Sequence, residues 1–269
     1  MITNEIIAKI KIEIINKKER IINSFENSYR EAENLNQLNE GKHNEDEIKD
    51  CEIYINNEKI NFSYYYKFVK KGIYLIKYKF NKLLTSTSYM FNDCKLLSID
   101  LSNFNTQNVI VMTSMFYDCN SLLSITLSNF NTQNVINMSD MFCNCSSLLS
   151  LDLSNFNTQK VSSMGGMFYC CSSLLSLDLS KFNTQNVNNM WCLFECCESL
   201  KSLDLSNFNT EKITDMSEMF SGCHSLISLD LSSFNTKNEI NMRALFNGCN
   251  SLISLDLSNF NTKNVTDMD

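Results

Sequence analysis

Cysteine beside histidine, closely paired cysteines and a recurring aspartate are the groups in this chain with chemistry to offer. Cys223 followed by His224 sets a thiol next to an imidazole, the pairing from which a nucleophile is made. Neighbouring residues usually point apart, and Cys223 belongs to an evenly spaced series of cysteines, which assigns it to a core. His224 stands where Asn120, Ser146, Ser172, Glu198 and Asn250 stand elsewhere, a variability that reads as solvent exposure. His43, the other histidine, lies in an acidic stretch. No catalytic residue is assigned. Cys143 with Cys145, Cys170 with Cys171 and Cys196 with Cys197 lack the repeated C-x-x-C spacing of structural zinc sites, so no metal site is assigned either.

The aspartates are different. Asp100, Asp152, Asp178, Asp204, Asp230 and Asp256 recur at one position of a repeating unit, with Thr126 in place of one member. On neighbouring parallel strands such carboxylates lie about 4.8 Å apart and repel by on the order of 1 kcal/mol per pair in water. Two readings account for the row. In the first, each Asp accepts hydrogen bonds from Ser150-type and Ser154-type neighbours. In the second, the row is an acidic ligand-binding surface for basic side chains, with loose divalent-cation binding compatible with its oxygen chemistry.

What positions the aspartates is a 26-residue repeat, seen in Ser147 to Ser172 as SLLSLDLSNFNTQKVSSMGGMFYCCS. Phe104, Phe130, Phe156, Phe182, Phe208, Phe234 and Phe260 mark each unit, and Cys94, Cys119, Cys145, Cys171, Cys197, Cys223 and Cys249 keep the same beat. A fixed period of this size predicts units that cannot bury their apolar faces alone and must stack. Within a unit, Leu148, Leu151 and Leu153 predict a short strand with Asp152 on its outer side. Phe156 turns inward. Asn157 and Thr158 are good helix-entry residues, and Val161, Met164, Met167, Phe168 and Cys171 fit one face of a helix. The Asn and Thr of the NFNT corners are expected to form an internal ladder that satisfies backbone groups.

Residues 1–89 read as a β-rich capping domain and residues 90–269 as about seven repeats. Ile10 to Ile14 alternates like a strand. Ile22, Phe25, Tyr29, Ala32, Leu35 and Leu38 step like an amphipathic helix, and Asn39 to Asp50 reads as an exposed acidic loop. Glu52 to Phe62 is a hairpin turning at Asn56 and Asn57, and Tyr74 to Phe80 alternates as a further strand. The unit would cover the apolar end of the first repeat.

The combination of L-x-x-L-x-L, Phe-x-Thr and Met-Phe-x-x-Cys, in Leu148 to Cys171 and again in Leu200 to Cys223, resembles the BspA-like leucine-rich repeat family over about two thirds of the chain. The resemblance implies an α/β fold: a right-handed leucine-rich-repeat solenoid with a parallel concave sheet and helices on its convex side, here preceded by the small β-rich cap. It also implies no cofactor and no catalysis, and many such proteins are described as surface or adhesion proteins.

Composition bounds the partners. Residues 1–89 carry 15 basic and 13 acidic side chains, and residues 90–269 carry 8 and 17. Acidic repeats repel phosphate backbones, so a nucleic-acid partner is excluded and a protein ligand with a basic surface is expected. No apolar run reaches the roughly 18 residues needed for membrane insertion. The start lacks the order of a secretory signal, which places the chain in the cytoplasm, or at the cell surface or outside if a signal lies upstream. The twelve cysteines read as buried or free thiols, with disulfides among Cys143, Cys170, Cys192 and Cys196 as the alternative. The functional expectation is a non-enzymatic protein-protein interaction module presenting an acidic concave surface. Its alternative is a cell-surface adhesin for host or matrix components.

Overall fold

The computed structural model describes residues 4–31, 43–236, 240–258, 260–261, 263 and 265–267. The N-terminal region supplies strands β1 (Glu5–Ile12) and β2 (Lys18–Arg20), helices α1 (Phe25–Glu31) and α2 (Glu45–Lys49), and strands β3 (Cys51–Ile55), β4 (Glu58–Ile60), β5 (Tyr65–Lys67) and β6 (Gly72–Phe80). All pairings among these strands are antiparallel. In β1 the alternation sets in earlier than Ile10. Ile6, Ala8, Ile10 and Ile12 are buried, while Ile14 lies beyond the strand and is exposed. The hairpin turns at Asn56 and Asn57 with φ of 48° and 70°, the left-handed pair that a two-residue type I′ loop requires. Of the helix expected from Ile22, the described part is α1, which begins at Phe25, and the last members, Ala32, Leu35 and Leu38, lie outside the described residues. The expected acidic loop is corrected. Glu45 to Lys49 form α2, whose first turn carries Glu45, Asp46 and Glu47. Carboxylates there complement the helix dipole, and Ile48 is fully buried beneath them.

The repeats begin with β7 (Leu96–Asp100) and β8 (Ser124–Thr126), and β1 pairs antiparallel with β7. That contact builds a six-stranded mixed sheet in the order β4-β3-β6-β1-β7-β8 and closes the first repeat. Later repeats contribute β9 (Ser202–Leu203), β10 (Ser228–Leu229), β11 (Ile240–Asn241), β12 (Ser254–Leu255) and β13 (Val265–Asp267). Only β9, β10 and β12 form a three-stranded parallel sheet, each strand two residues long. Leu151 to Leu153 and Leu177 to Leu179 are not strands.

These observations overturn the expected α/β solenoid. Among the described residues the only helices are α1 and α2, both in the N-terminal region, so no repeat has a convex helix, and no continuous parallel sheet spans the repeats. Val265–Asp267 likewise form a strand, β13, not a helix. The apolar spacing was right in what it buried: Val161, Met164, Met167, Phe168 and Cys171 are all sealed from solvent. The backbone differs because hydrogen bonds alternate. In one repeat the N–H groups of Met167, Tyr169 and Cys171 close turns onto Met164, Gly166 and Phe168, while those of Gly166, Phe168 and Cys170 reach Trp191, Leu193 and Glu195 of the next repeat. A helix bonds every N–H to the fourth preceding residue. Two left-handed residues per repeat, such as Ser114 and Asp118 or Cys192 and Cys196, prevent that continuation.

Each repeat is thus a coil of consecutive turns seated on the next. Single parallel bridges run Ser86, Val111, Asn137, Ser163, Asn189, Asp215, Asn241 along the coils. Phe91, Phe116, Phe142, Phe168, Phe194, Phe220 and Phe246 stack with centroids 5.7 to 6.1 Å apart. Thr106, Thr132, Thr158, Thr184, Thr210 and Thr236 are buried. The Thr158 hydroxyl donates to the Asn183 carbonyl (3.0 Å) and accepts the Asn183 N–H (2.7 Å), so the expected corner ladder is present.

Thr158→Val keeps the shape and strands both Asn183 backbone groups. It is expected to lower unfolding free energy by about 2 to 5 kcal/mol. Phe156→Ala is expected to cost about 3 to 5 kcal/mol by opening a core cavity. Urea unfolding followed by circular dichroism checks both, and near-neutral values would refute the ladder and the packing.

Candidate functional site

The outer position of the Leu-x-Leu segment carries the aspartates. Asp152, Asp178, Asp204, Asp230 and Asp256 are exposed and Asp100 is half-buried at the end of β7. The structure therefore brings all six onto one face, with Thr126 of β8 between the first two. Asp152 Oδ1 accepts the Ser154 N–H at 2.9 Å, and the same bond joins Asp100 to Ser102, Asp178 to Ser180, Asp204 to Ser206, Asp230 to Ser232 and Asp256 to Ser258. Each aspartate closes an Asx turn that opens the following corner. The Ser154-type bonds of the first reading are thus present in the geometry.

Electrostatics agree. Asp178, Asp204, Asp230 and Asp256 lie below the ordinary carboxylate range because a serine N–H, and then its hydroxyl, stabilises the charged form. Asp152 is lowered by the Ser154 hydroxyl first. The upward push from neighbouring aspartates ranks last where it occurs, so the turn bonds outweigh the repulsion.

A second row was not anticipated. Leu123, Leu149, Leu175, Ile227 and Ile253 are 51%, 54%, 57%, 45% and 83% exposed. Leu97, half-buried, and Lys201, exposed, occupy the same position in the remaining coils. Their backbones are successive rungs: Leu123 N–H donates to Leu97, Leu175 to Leu149, Ile227 to Lys201 and Ile253 to Ile227. The row precedes the aspartate of its own coil by three residues. Its signal in the sequence was the second leucine of each Ser-Leu-Leu-Ser, whose partner alone fills the core. At the N-terminal end the ridge runs into a pocket of about 380 Å³ lined by Leu97, Leu123, Ile14, Lys11 and Lys95.

The thiols divide into two groups. The evenly spaced cysteines from Cys94 to Cys223 lie in the core and Cys249 is half-buried at its edge; Cys119, Cys145, Cys171, Cys197 and Cys223 donate S–H bonds to phenylalanine carbonyls at 3.1 to 3.3 Å. Burial pushes the Cys171 and Cys223 thiols up to about 12, and Cys223 directs its S–H at the Phe194 carbonyl rather than at His224. His224 Nδ1 instead meets the Gly248 carbonyl at 2.8 Å. All twelve cysteines are free thiols. The donor atoms of Cys192, Glu195 and Glu218 lie within 4.8 Å of one another, the one such three-residue group among the described residues. Glu195 is raised chiefly by burial, and Glu218 is already paired with Arg243 Nη1 at 2.5 Å. Glu195 and Glu218 had no mark in the sequence, because their meeting depends on coil stacking.

Comparison with known families places the repeats. The family described as "Mycoplasma protein of unknown function, DUF285" matches residues 85–203 and 171–269, together more than half of the chain. Neither a curated protein nor a solved structure matches the chain. No helix among the described residues is long and apolar enough to cross a membrane.

Asp152→Ala removes the turn acceptor, whereas Asp152→Asn retains one. The alanine variant is expected to be the less stable of the two at pH 7. The folded carboxylates sit below their unfolded value near 3.8, so their contribution is full above about pH 4 and fades as pH falls through the lowered folded values. Carboxyl NMR titration should place Asp152, Asp178, Asp204, Asp230 and Asp256 below that value. Midpoints at or above it would contradict the turn assignment.

Proposed function

The chain belongs to the DUF285 family, and from that premise we propose that it is a non-enzymatic protein-protein interaction module, its repeats of the BspA-like type. It holds an extended partner segment that combines apolar side chains with lysine or arginine. The observation that carries this reading is the alignment of two rows on successive coils, an exposed aliphatic ridge and a line of carboxylates. Contiguous exposed apolar surface marks interaction sites. The carboxylates beside it select positive charge and steer encounter. The acidic balance of residues 90–269 acts in the same direction over a longer range.

The Asx turns do not use up the carboxylates. Each turn engages Oδ1, and a carboxylate has further acceptor sites on both oxygens. The same bonds hold the side chains in place, which reduces the ordering cost of binding. A bound segment runs along the stack and gains contacts coil by coil.

A labelled peptide alternating leucine and lysine, compared with one alternating leucine and glutamate, tests this by fluorescence anisotropy. The lysine peptide should bind at least about tenfold more tightly, a difference of about 1.4 kcal/mol, and weaken as salt rises. Replacing Asp152, Asp178 and Asp204 together with Asn should erase the preference with the fold intact, and Leu149→Ser with Leu175→Ser should weaken both peptides. Equal binding of the two peptides by the parent would sink the proposal.

A further inference from the structure

We propose that Cys170 and Cys196 are a modification site, a thiol pair that a low-molecular-weight disulfide converts into a covalent staple between consecutive coils. Five cysteines lie outside the evenly spaced series: Cys51, buried in the N-terminal region, and four in the repeats, Cys143, Cys170, Cys192 and Cys196. Cys143 is aligned with Tyr117 and Tyr169 in the adjoining coils, and Cys192 with Gly166 and Glu218. Cys170 and Cys196 alone of the four are aligned with each other.

Three observations bring the two thiols together. The Cys170 N–H donates to the Glu195 carbonyl at 2.8 Å, and the Cys196 N–H donates to Ser221 at 2.7 Å, so the backbones run side by side in register. Both residues are left-handed, with φ of 54° and 56°. Side chains at this position point along the stack at the adjoining coil: a Cβ on Gly222, aligned with Cys196, would meet the Cys196 sulfur at 3.0 Å and its Cα at 3.3 Å. In the same way Cys170 and Cys196 are neighbours along the stack, and after burial it is Cys170 that raises the Cys196 thiol most. Parallel backbones in register are about 4.8 Å apart, inside the Cα separation of roughly 4.4 to 6.8 Å that a disulfide spans.

Access separates this pair from its neighbours in sequence. Cys170 and Cys196 are partly exposed, whereas Cys171 and Cys197 are buried and point their S–H groups at the Phe142 and Phe168 carbonyls. With glutathione disulfide as oxidant, one thiolate attacks a glutathione sulfur and expels one glutathione thiolate. The second cysteine, after losing its proton, attacks the protein sulfur of the mixed disulfide and expels the other. Two thiols are oxidised, one disulfide is reduced, and the two protons end on the two glutathione thiols. Burial lifts the Cys196 thiol to about 12, so the reaction accelerates with rising pH.

The folded chain is incubated with glutathione disulfide, quenched with acid and mapped by mass spectrometry without reduction. Expected is one internal link, Cys170 to Cys196, with the loss of two hydrogens, and Cys171 and Cys197 unmodified. The oxidised parent should also melt at a higher temperature than the reduced parent. Cys170→Ser should lose both the link and the shift. Persistent glutathione adducts on Cys170 or Cys196 without the link would overturn the proposal, as would a link between other cysteines. Should Cys170→Ser not fold, the map of the parent decides alone.

Discussion

Stacking in this molecule depends on how backbone N–H groups are shared between a coil and its successor. From Gly166 to Cys171 every second N–H closes a turn within the coil and the ones between donate to the next. Neither set suffices by itself. Turns without the neighbour leave half the donors bare, and buried backbone groups without partners are costly. The neighbour without the turns has no fixed row of carbonyls to present. Folding of one coil is therefore conditional on another, which is why a chain with single parallel bridges and two-residue strands still buries two columns of phenylalanine.

The side chains complete the same accounting. Asn157 Oδ1 accepts the Gln159 N–H, Asp152 the Ser154 N–H, and Asn189, Asp215 and Asn241 the N–H two residues on. Threonine hydroxyls bridge the corners between coils. The asparagine, aspartate and threonine of the repeats are thus the means by which a chain with little regular secondary structure satisfies the backbone donors of its turns and corners. The ends differ. At the N-terminal end, β1 covers β7 and supplies the pairing that a preceding coil would have given.

Much of this was legible in sequence and one central element was not. Period, phase and the buried set could be read, because burial depends on which residues recur, and Leu151, Phe156, Met164 and Cys171 are apolar in nearly every unit. Backbone conformation could not. Steps of three and four residues bury the same side chains whether the chain winds as a helix or as serial turns, so Val161 to Cys171 fitted either. The residues that decide it are left-handed ones such as Tyr89, Ser114, Asp140 and Cys192, few of them glycine. Aspartate, asparagine and glycine favour that conformation where they occur, but Tyr89, Ser114 and Cys192 do not announce it; there the bonds to the next coil hold it. The aspartate row was visible for its regularity, whereas the aliphatic ridge was hidden inside a leucine pair that looked like core throughout.

Those left-handed positions also explain where local chemistry concentrates. A left-handed residue turns its side chain along the stack, toward the same position of an adjoining coil, so residues 26 apart meet directly. Asn144 donates to Asp118. A Cβ on Gly166 would lie 2.2 Å from Asp140 Oδ1, so glycine there leaves the carboxylate its place. Cys192 lies beside Glu218, and Cys170 is in register with Cys196 of the next coil. Elsewhere in the repeat the core and corners require nearly one residue type, and change there breaks packing or a ladder. At the left-handed pairs the backbone bonds hold the conformation, and the side chains vary from Tyr89 to Ala244. Pairwise contacts with distinct chemistry therefore arise at those positions without disturbing the stack that supports them.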